Sequence, residues 1–266
     1  TKVDLGLAGA TAVVAGGTRG IGLATAVCLA GEGCRVGVIG RDETRVEDAA
    51  RAVQAAGSPE VLRLTADLAL VADVESVFDE VRTRWGVLNV LINAAGPGGA
   101  GRFEDLDDAR WSDALDQGVM SAVRCVRAAL PLLRGADWAR IVNVTAMSVQ
   151  HQSPALVSYT AAKSALLSVT KNLARSLAPD GILVNAVAPG PILTDWARPM
   201  LTSAGIDVDD PVAAFRLLQG GHGMSVDLGR LGLPREVAAV IAFCASRSNA
   251  FMTGAHLNVD GGSDFL

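Results

Sequence analysis

Short apolar runs alternate with longer amphipathic stretches along almost the whole chain, and this order is the strongest constraint on its fold. The apolar runs predict seven strands, over 11–15, 35–39, 61–65, 88–92, 140–145, 182–187 and 256–259. The stretches between them predict helices, over 21–31, 43–56, 71–85, 107–134, 156–177 and 235–245. Because strands that alternate with such helices form right-handed βαβ units, the pattern predicts an α/β fold: a doubly wound parallel β-sheet with helices on both faces.

The segment 190–233 departs from this alternation. It is rich in proline and glycine and carries large apolar residues such as Trp196, Met200 and Phe215. A long irregular insertion in a compact domain is usually functional. No repeat or linker divides the chain, so we expect a single domain over 1–266 with a lid roughly at 190–233. A surface loop without a role is the alternative interpretation of this segment.

Charge and composition exclude several classes of partner. The net charge is −5 and no long basic run occurs, which disfavours nucleic acid and anionic membranes as partners. No stretch of about 18 apolar residues suggests a membrane span. The four cysteines are scattered, with no CxxC pair and no histidine at metal-ligand spacing. We therefore expect a cytoplasmic protein without a metal site, acting on a small-molecule substrate.

A glycine-rich segment connects the first predicted strand to the first predicted helix. Residues 16–22 read Gly-Gly-Thr-Arg-Gly-Ile-Gly. Glycines let a backbone turn tightly and approach a pyrophosphate, and the positive end of the following helix dipole attracts the anion. Because this cluster lies at a strand-to-helix junction that opens a βαβ unit, it predicts a Rossmann-type dinucleotide site.

The spacing Gly-x₃-Gly-x-Gly resembles that of the short-chain dehydrogenase/reductase family, and in particular the branch that includes 3-oxoacyl-acyl-carrier-protein reductases. Further matching motifs follow in the order of the family: Asp67-Leu68, Asn93-Ala94-Ala95-Gly96, Tyr159-x₃-Lys163, Pro189-Gly190 and Val259-Asp260-Gly261-Gly262. The resemblance covers essentially the whole chain. It implies a nicotinamide-dependent oxidoreductase and a homotetramer.

Position by position, the resemblance also implies a set of cofactor-binding residues. In order from the pyrophosphate to the adenine, the adenosine ribose and the nicotinamide end, they are Gly16, Thr18, Gly20 and Ile21; Asp67 and Leu68; Asn93, Ala94, Ala95 and Gly96; and Pro189, Gly190, Ile192 and Thr194. The Asp67 carboxylate is expected to accept a hydrogen bond from the adenine amino group. Without the resemblance, an ordinary helix N-cap would explain Asp67 equally well.

The choice between NADP(H) and NAD(H) depends on charge near the end of the second strand. NAD-binding proteins tend to carry an acidic residue there. Here Gly40 and Arg41 stand at that place, and Arg19 in the glycine-rich segment adds a second cation. Two guanidinium groups suit a dianionic 2′-phosphate, so NADP(H) is predicted over NAD(H). Asp42 is the competing feature, because it would approach the ribose if the strand ended one residue later.

Tyr159 and Lys163 are the predicted catalytic residues. Four residues apart on a helix, they would share one face. A tyrosine hydroxyl has an ordinary pKa near 10, and a nearby ammonium favours the phenolate and lowers that pKa. The resemblance gives Lys163 a second role, hydrogen bonding to the nicotinamide ribose. A buried tyrosine beside a structural lysine is the alternative interpretation of the pair taken alone.

Two further residues of the family's catalytic set are missing. Ala146 stands thirteen residues before Tyr159, where the family usually has a serine that donates to the substrate oxygen. Gly118 aligns with the asparagine that usually orders a proton-relaying water. The neighbouring candidates for substrate contact are Thr145, Ser148 and His151.

These features predict an NADP(H)-dependent oxidoreductase that interconverts a carbonyl and a secondary alcohol on a small-to-medium, apolar substrate. Because Ala146 and Gly118 replace the expected serine and asparagine, a catalytically weak or inactive nucleotide-binding protein, serving as a sensor or an assembly subunit, is the alternative. A lyase or epimerase that uses the nucleotide transiently is a third possibility.

Overall fold

The computed structural model describes residues 4–97, 101–222 and 225–263, so residues 223–224 of the predicted lid lie outside the described residues. The described chain forms one parallel sheet in the order β3-β2-β1-β4-β5-β6-β7. The strands are β1 (Thr11–Ala15), β2 (Arg35–Gly40), β3 (Val61–Thr65), β4 (Val90–Asn93), β5 (Ala139–Val144), β6 (Ile182–Pro189) and β7 (His256–Val259). This order confirms the predicted doubly wound α/β fold.

The helices cover both faces of the sheet. They are α1 (Gly20–Gly31), α2 (Glu43–Ala55), α3 (Val71–Trp85), α4 (Asp108–Leu115), α5 (Ser121–Arg134), α6 (Val157–Leu177), α7 (Arg198–Ser203), α8 (Pro211–His222) and α9 (Pro234–Ala245). One apolar cluster packs α1, α2 and α9 against the sheet, and another packs α3, α5 and α6 against the opposite face. Burial on both sides explains why β1, β4 and β5 are wholly buried apolar-rich runs rather than alternating ones.

The topology locates the ligand crevice. The chain proceeds from β1 outward to β2 and β3, then returns to place β4 on the other side of β1. In open α/β sheets, ligands bind beyond the carboxyl ends of the strands at such a reversal point. The loops after β1 and β4 therefore border the expected nucleotide site.

The predicted helix over 107–134 is not continuous. A π-helical turn, Asp116–Met120, separates α4 from α5, and Gly118 lies within it. Amphipathic periodicity does not register one extra residue in a helical turn, which is why the sequence pattern missed this break. The Ser121 hydroxyl donates to the Gln117 carbonyl at 2.7 Å, which satisfies one backbone acceptor within the turn.

The segment 190–233 is more ordered than expected. It contains α7 and α8, and its buried apolar residues form a cluster of their own: Leu193, Ala197, Leu201, Ala214, Phe215, Leu218, Val226 and Leu231. The expectation of an irregular insertion was therefore wrong, because the proline and glycine content masked two short runs of apolar residues at helical spacing. Across the described ranges, no helix combines the length and the apolar character needed to cross a membrane.

Candidate active site

The glycine-rich loop lies in the crevice between β1 and β4. The backbone N–H groups of Gly16 and Gly17 donate to the Ile39 carbonyl at 3.0 and 3.1 Å, which holds the loop against β2. Gly16 has a φ of +79°, and a Cβ there would lie 2.6 Å from the Ala95 backbone nitrogen. Only glycine fits such an approach. The loop after β1 and the loop after β4 are therefore in close contact.

Helix α1 begins directly after this loop. Among the described residues, no side chain caps its N-terminus at Arg19. The first N–H groups of a helix have no partner within the helix, and together with the helix dipole they bind anions. A Cβ on Gly20 would lie 3.4 Å from Thr194 Cγ2, so the Thr194 side chain lies beside the same helix start. The glycine cradle and the uncapped helix fit the pyrophosphate of a dinucleotide.

The residues at the end of β2 bear on the choice between NADP(H) and NAD(H). A Cβ on Gly40 would overlap Thr18 Cγ2, so a larger residue at this position requires the Thr18 side chain to move. Asp42 is the N-cap of α2, where its Oδ1 accepts from the Arg45 N–H at 3.0 Å. Its carboxylate therefore has a structural role. Arg41 is exposed, like Arg19 of the loop.

Neither Arg19 nor Arg41 forms an ion pair with any residue that the structure describes. An arginine without an acidic partner at a concave site is available for an anionic ligand.

The adenine segment follows β3. The Asp67 Oδ1 accepts from the Ala69 N–H at 3.0 Å, and the Asp67 N–H donates to Asp73 Oδ2 at 3.0 Å. Because the N-cap position of α3 is Leu70, the helix-cap explanation of Asp67 is wrong. Its carboxylate instead stabilises a local turn, and the Leu68 side chain is buried.

The end of β4 carries a buried amide. Asn93 Nδ2 donates to Asn143 Oδ1 at 2.8 Å, and Asn143 Nδ2 donates to the Thr170 hydroxyl at 2.9 Å. This chain ties β4, β5 and α6 together, and Asn93 Oδ1 has no partner among the described residues. Asn143 is not among the predicted site residues, although an asparagine in the middle of an apolar strand is a signal of a buried polar contact.

The nicotinamide end of the predicted site lies beyond β6. The Gly190 N–H donates to the Val259 carbonyl at 3.0 Å, and a Cβ on Gly190 would lie 2.6 Å from Asp260 Cα. Ile192 is buried and pairs with Gly232. These contacts fix the backbone that leads from Pro189 to Thr194.

Tyr159 and Lys163 lie together on the first part of α6. The Lys163 ammonium lies 5.9 Å from the centroid of the Tyr159 ring and donates to the Val144 carbonyl at 2.8 Å. A Cβ on Gly96 would lie 2.9 Å from Lys163 Nζ. The ammonium is therefore enclosed by α6, the end of β5 and the loop after β4.

Burial controls the protonation of both groups. Burial lowers the pKa of Lys163 to about 8, because the charged form is desolvated. It raises the pKa of Tyr159 for the same reason. The expected lowering of the Tyr159 pKa is thus wrong for this structure, because desolvation is the cause that acts on it. Near neutral pH the Tyr159 hydroxyl keeps its proton, as a general acid must.

The neighbours of Ala146 form hydrogen bonds within the protein. The Thr145 hydroxyl donates to the Val187 carbonyl at 3.1 Å and lies 3.0 Å from His256 Nε2. Ser148 is buried, and its oxygen accepts from the Thr160 hydroxyl at 3.1 Å. Both hydroxyls are engaged with the protein.

His151 is only partly buried. Its backbone N–H donates to the Met147 carbonyl at 3.1 Å. Of the three predicted substrate contacts, it is the one whose side chain is partly open to solvent.

Gly118 stands where the resemblance places an asparagine, and its surroundings explain the replacement. A Cβ on Gly118 would lie 2.6 Å from Ala162 Cβ and 3.2 Å from Pro97 Cδ. The π-helical turn thus packs against α6, between Tyr159 and Lys163. No side chain fits there without a shift of the backbone.

We expect the Gly118→Asn substitution to lower the free energy of unfolding by about 1–3 kcal/mol, because it overpacks this contact. Gly135→Asn is the matched control, since the nearest atom to a Cβ there lies at an ordinary 3.5 Å. Urea denaturation measures both variants. Equal stability of the Gly118 and Gly135 variants would contradict the assigned packing.

The known proteins to which this chain is similar include reductases. The family model for enoyl-(acyl carrier protein) reductases matches residues 15–264. A putative ketoacyl reductase of the monensin polyketide synthase from Streptomyces virginiae is 34% identical over 256 residues, covering 94% of this chain and 95% of that protein.

Two solved structures share the fold over their whole length. L-sorbose reductase from Gluconobacter frateurii, in complex with NADPH and L-sorbose, has a TM-score of 0.91 at 29% identity and covers 99% of this chain and 100% of its own. An NADPH-bound short-chain oxidoreductase from Pseudomonas aeruginosa PAO1 is described as containing an atypical catalytic center. It has a TM-score of 0.87 at 30% identity, and the match covers 95% of this chain and 96% of that protein.

Proposed function

Because the chain belongs to the short-chain dehydrogenase/reductase family of NAD(P)-dependent oxidoreductases, we propose that it interconverts a carbonyl and a secondary alcohol, using NADP(H) with Tyr159 and Lys163. One observation carries the proposal. The buried Lys163 ammonium lies beside the ring of the only tyrosine in the chain, next to the loop that meets the glycine cradle.

The nucleotide, when bound, supplies the hydride. Gly16, Gly20 and the N-terminus of α1 hold its pyrophosphate. The Tyr159 hydroxyl, which burial keeps protonated, donates its proton to the substrate oxygen as negative charge develops on it. Lys163 is charged below about pH 8 and is held by the Val144 carbonyl, so it places a positive charge beside that oxygen and a donor near the nicotinamide ribose.

The preference for NADP(H) rests on charge and sterics at the end of β2. Arg19 and Arg41 are exposed cations, and Gly40, packed against Thr18, stands where NAD-binding proteins tend to carry an acid. Asp42, the competing residue, caps α2. The NADPH named in the descriptions of both related structures supports the same preference.

We expect Arg41→Ala to lower kcat/KM for NADPH by roughly 10–100-fold, because a hydrogen bond to a charged group contributes about 1.5–3 kcal/mol. The value for NADH should stay unchanged. Arg51→Ala removes a cation from α2 whose partners are Glu47 and Asp48, and serves as the control. Equal losses with both nucleotides would refute a contact to the 2′-phosphate.

The substrate proposed for this site is a small-to-medium, apolar carbonyl compound. On the lid, Trp196 and Met200 keep exposed apolar surface, and Trp196 Nε1 donates to the Ile192 carbonyl at 2.9 Å, which fixes its ring. Phe103 is 69% exposed and contacts Trp111 edge-on, with 6.4 Å between the ring centroids. We propose that these exposed apolar side chains contact the substrate.

A panel of ketones, β-ketoacyl thioesters and quinones tests the proposed activity by loss of the NADPH absorbance. We expect oxidation of NADPH with at least one apolar carbonyl class. If NADPH binds and none of them oxidises it, the proposed activity is wrong.

A nucleotide-binding protein with little turnover is the second candidate. Ala146 and the engaged hydroxyls of Thr145 and Ser148 favour it, because no serine donor stands at the expected place. The atypical catalytic center named for the Pseudomonas relative does not decide between the two candidates. The Ala146→Ser substitution, argued below, separates them.

A homotetramer and a cytoplasmic location complete the proposal. Both come from the family resemblance and the reduced-cysteine pattern of the sequence. Light scattering should give about four times the 27.3 kDa of one chain. A monomeric mass at micromolar concentration would overturn the tetramer.

A further inference from the structure

Arg124, on the first turn of α5, links two separate parts of the molecule. Its Nη2 lies 2.6 Å from Asp116 Oδ1, and its Nη1 donates to the Leu68 carbonyl at 3.2 Å. The Arg124 side chain is only 14% exposed and that of Asp116 31% exposed. One guanidinium thus connects the segment after β3 to the π-helical turn.

The segment 67–70 has few other anchors. Among the described residues, its other hydrogen bonds come from within 67–74, for example from the Ala69 N–H to Asp67 Oδ1 and from the Leu70 N–H to the Asp67 carbonyl. Leu70 is 54% exposed, so burial does not hold this end of the segment. The buried Leu68 side chain packs in the apolar cluster that covers the sheet beneath α3 and α5. Among the described residues, Arg124 adds the hydrogen bond that reaches the segment 67–70 from outside 67–74.

We propose that Arg124 is a positioning residue for the adenine end of the nucleotide; this inference rests on the proposed nucleotide site. The Leu68 carbonyl accepts from Arg124, which fixes the backbone next to Asp67. The Asp67 carboxylate uses one oxygen for the turn and retains the other for the adenine amino group. Arg124 thus holds the segment 67–70, on which this recognition of adenine depends.

The Asp116 contact gives Arg124 its orientation. A guanidinium fork that bonds a carboxylate and a carbonyl together is held in one geometry, whereas a lysine ammonium lacks the planar fork that fixes this geometry. Asp116 is also the first residue of the π-helical turn that carries Gly118. The position of the adenine segment is therefore tied to the part of the helix that packs on α6.

The test compares Arg124→Met with Arg127→Met, which removes the same charge from an exposed position of α5. Calorimetry measures the dissociation constants of NADPH and of 2′,5′-ADP, which is the adenine half of the cofactor. We expect Arg124→Met to weaken both by about tenfold or more, since it removes a charge-assisted anchor, and Arg127→Met to leave them unchanged. The turnover number at saturating NADPH should change little.

Reduced nicotinamide mononucleotide, which lacks the adenine half, distinguishes positioning from general damage. Its use as a hydride donor should be the same in wild type and Arg124→Met. Arg124 has no adenine-positioning role if Arg124→Met loses the use of NADPH and of reduced nicotinamide mononucleotide to the same degree. The same conclusion follows if its affinity for NADPH is unchanged.

Asp116→Asn is the second variant, in case Arg124→Met does not fold. It keeps the size of the side chain but removes the charge that orients Arg124. It should weaken the binding of 2′,5′-ADP, as Arg124→Met does. Unchanged binding would again overturn the inference. If wild-type protein binds neither NADPH nor 2′,5′-ADP, the proposed nucleotide site itself fails.

Discussion

Replacing Tyr159 by phenylalanine is expected to reduce the turnover number for NADPH-dependent carbonyl reduction by ~10²–10⁴-fold, the usual contribution of a positioned general acid. The substitution removes one oxygen and keeps the ring that faces Lys163. NADPH affinity should therefore change by no more than about threefold, because the loss concerns the transition state and not nucleotide binding. Because Tyr159 is the only tyrosine, no second phenol can substitute for it.

Single-turnover kinetics measures the chemical step, and fluorescence titration measures NADPH affinity. Lys163→Met provides the contrast: it should weaken NADPH binding as well as turnover, since the ammonium is placed to serve both. A Tyr159→Phe enzyme that reduces carbonyls at the wild-type rate would remove Tyr159 from the reaction centre.

Introducing a hydroxyl with Ala146→Ser is expected to raise the turnover number, by up to ~10²–10³-fold, the factor lost when one oxyanion donor is removed. Ala146 is buried with an extended backbone that serine adopts without strain. The Thr145 hydroxyl donates to the Val187 carbonyl, and Ser148 is buried two residues beyond the position of the missing donor. KM for NADPH should stay the same.

Ser148→Ala is the matched control and should change turnover by less than about threefold. The opposite pattern, a large loss in Ser148→Ala with no gain in Ala146→Ser, would identify Ser148 as the donor and contradict the assignment of its hydroxyl to the protein. Tight NADPH binding with no turnover in wild type or in Ala146→Ser would favour the nucleotide-binding alternative.

The order of strands and helices around the site and its glycine-rich loop could be predicted from the sequence, because both depend on local features. Strand and helix periodicity gave the α/β order, and the close contact of Gly16 with Ala95 explains why a glycine cluster at a strand-to-helix junction was informative. Arg41 and Arg19 could be recognised as unpartnered cations only once the role of Asp42 as a helix cap was known. That role depends on where β2 ends, which periodicity locates only to within a residue or two.

The parts that the sequence did not predict depend on contacts between distant residues. The π-helical turn reflects the packing of Gly118 on Ala162, which are 44 residues apart. The direction of the pKa shift of Tyr159 depends on how deeply α6 is covered, and proximity to Lys163 alone suggested the wrong sign. Arg124 and Leu68 meet only in the folded chain, 56 residues apart in sequence.

Isotope transfer tests whether the protein passes a hydride from NADPH to a carbonyl carbon. NADPH that carries deuterium at both C4 positions of the reduced nicotinamide is incubated with the enzyme and the best carbonyl compound of the panel, and the product is analysed by mass spectrometry. The proposed function predicts that wild type forms an alcohol with one deuterium on its carbinol carbon. The Tyr159→Phe variant should form much less of this labelled alcohol. Tight NADPH binding without deuterium in any product would contradict it and leave a protein that binds the nucleotide without using it.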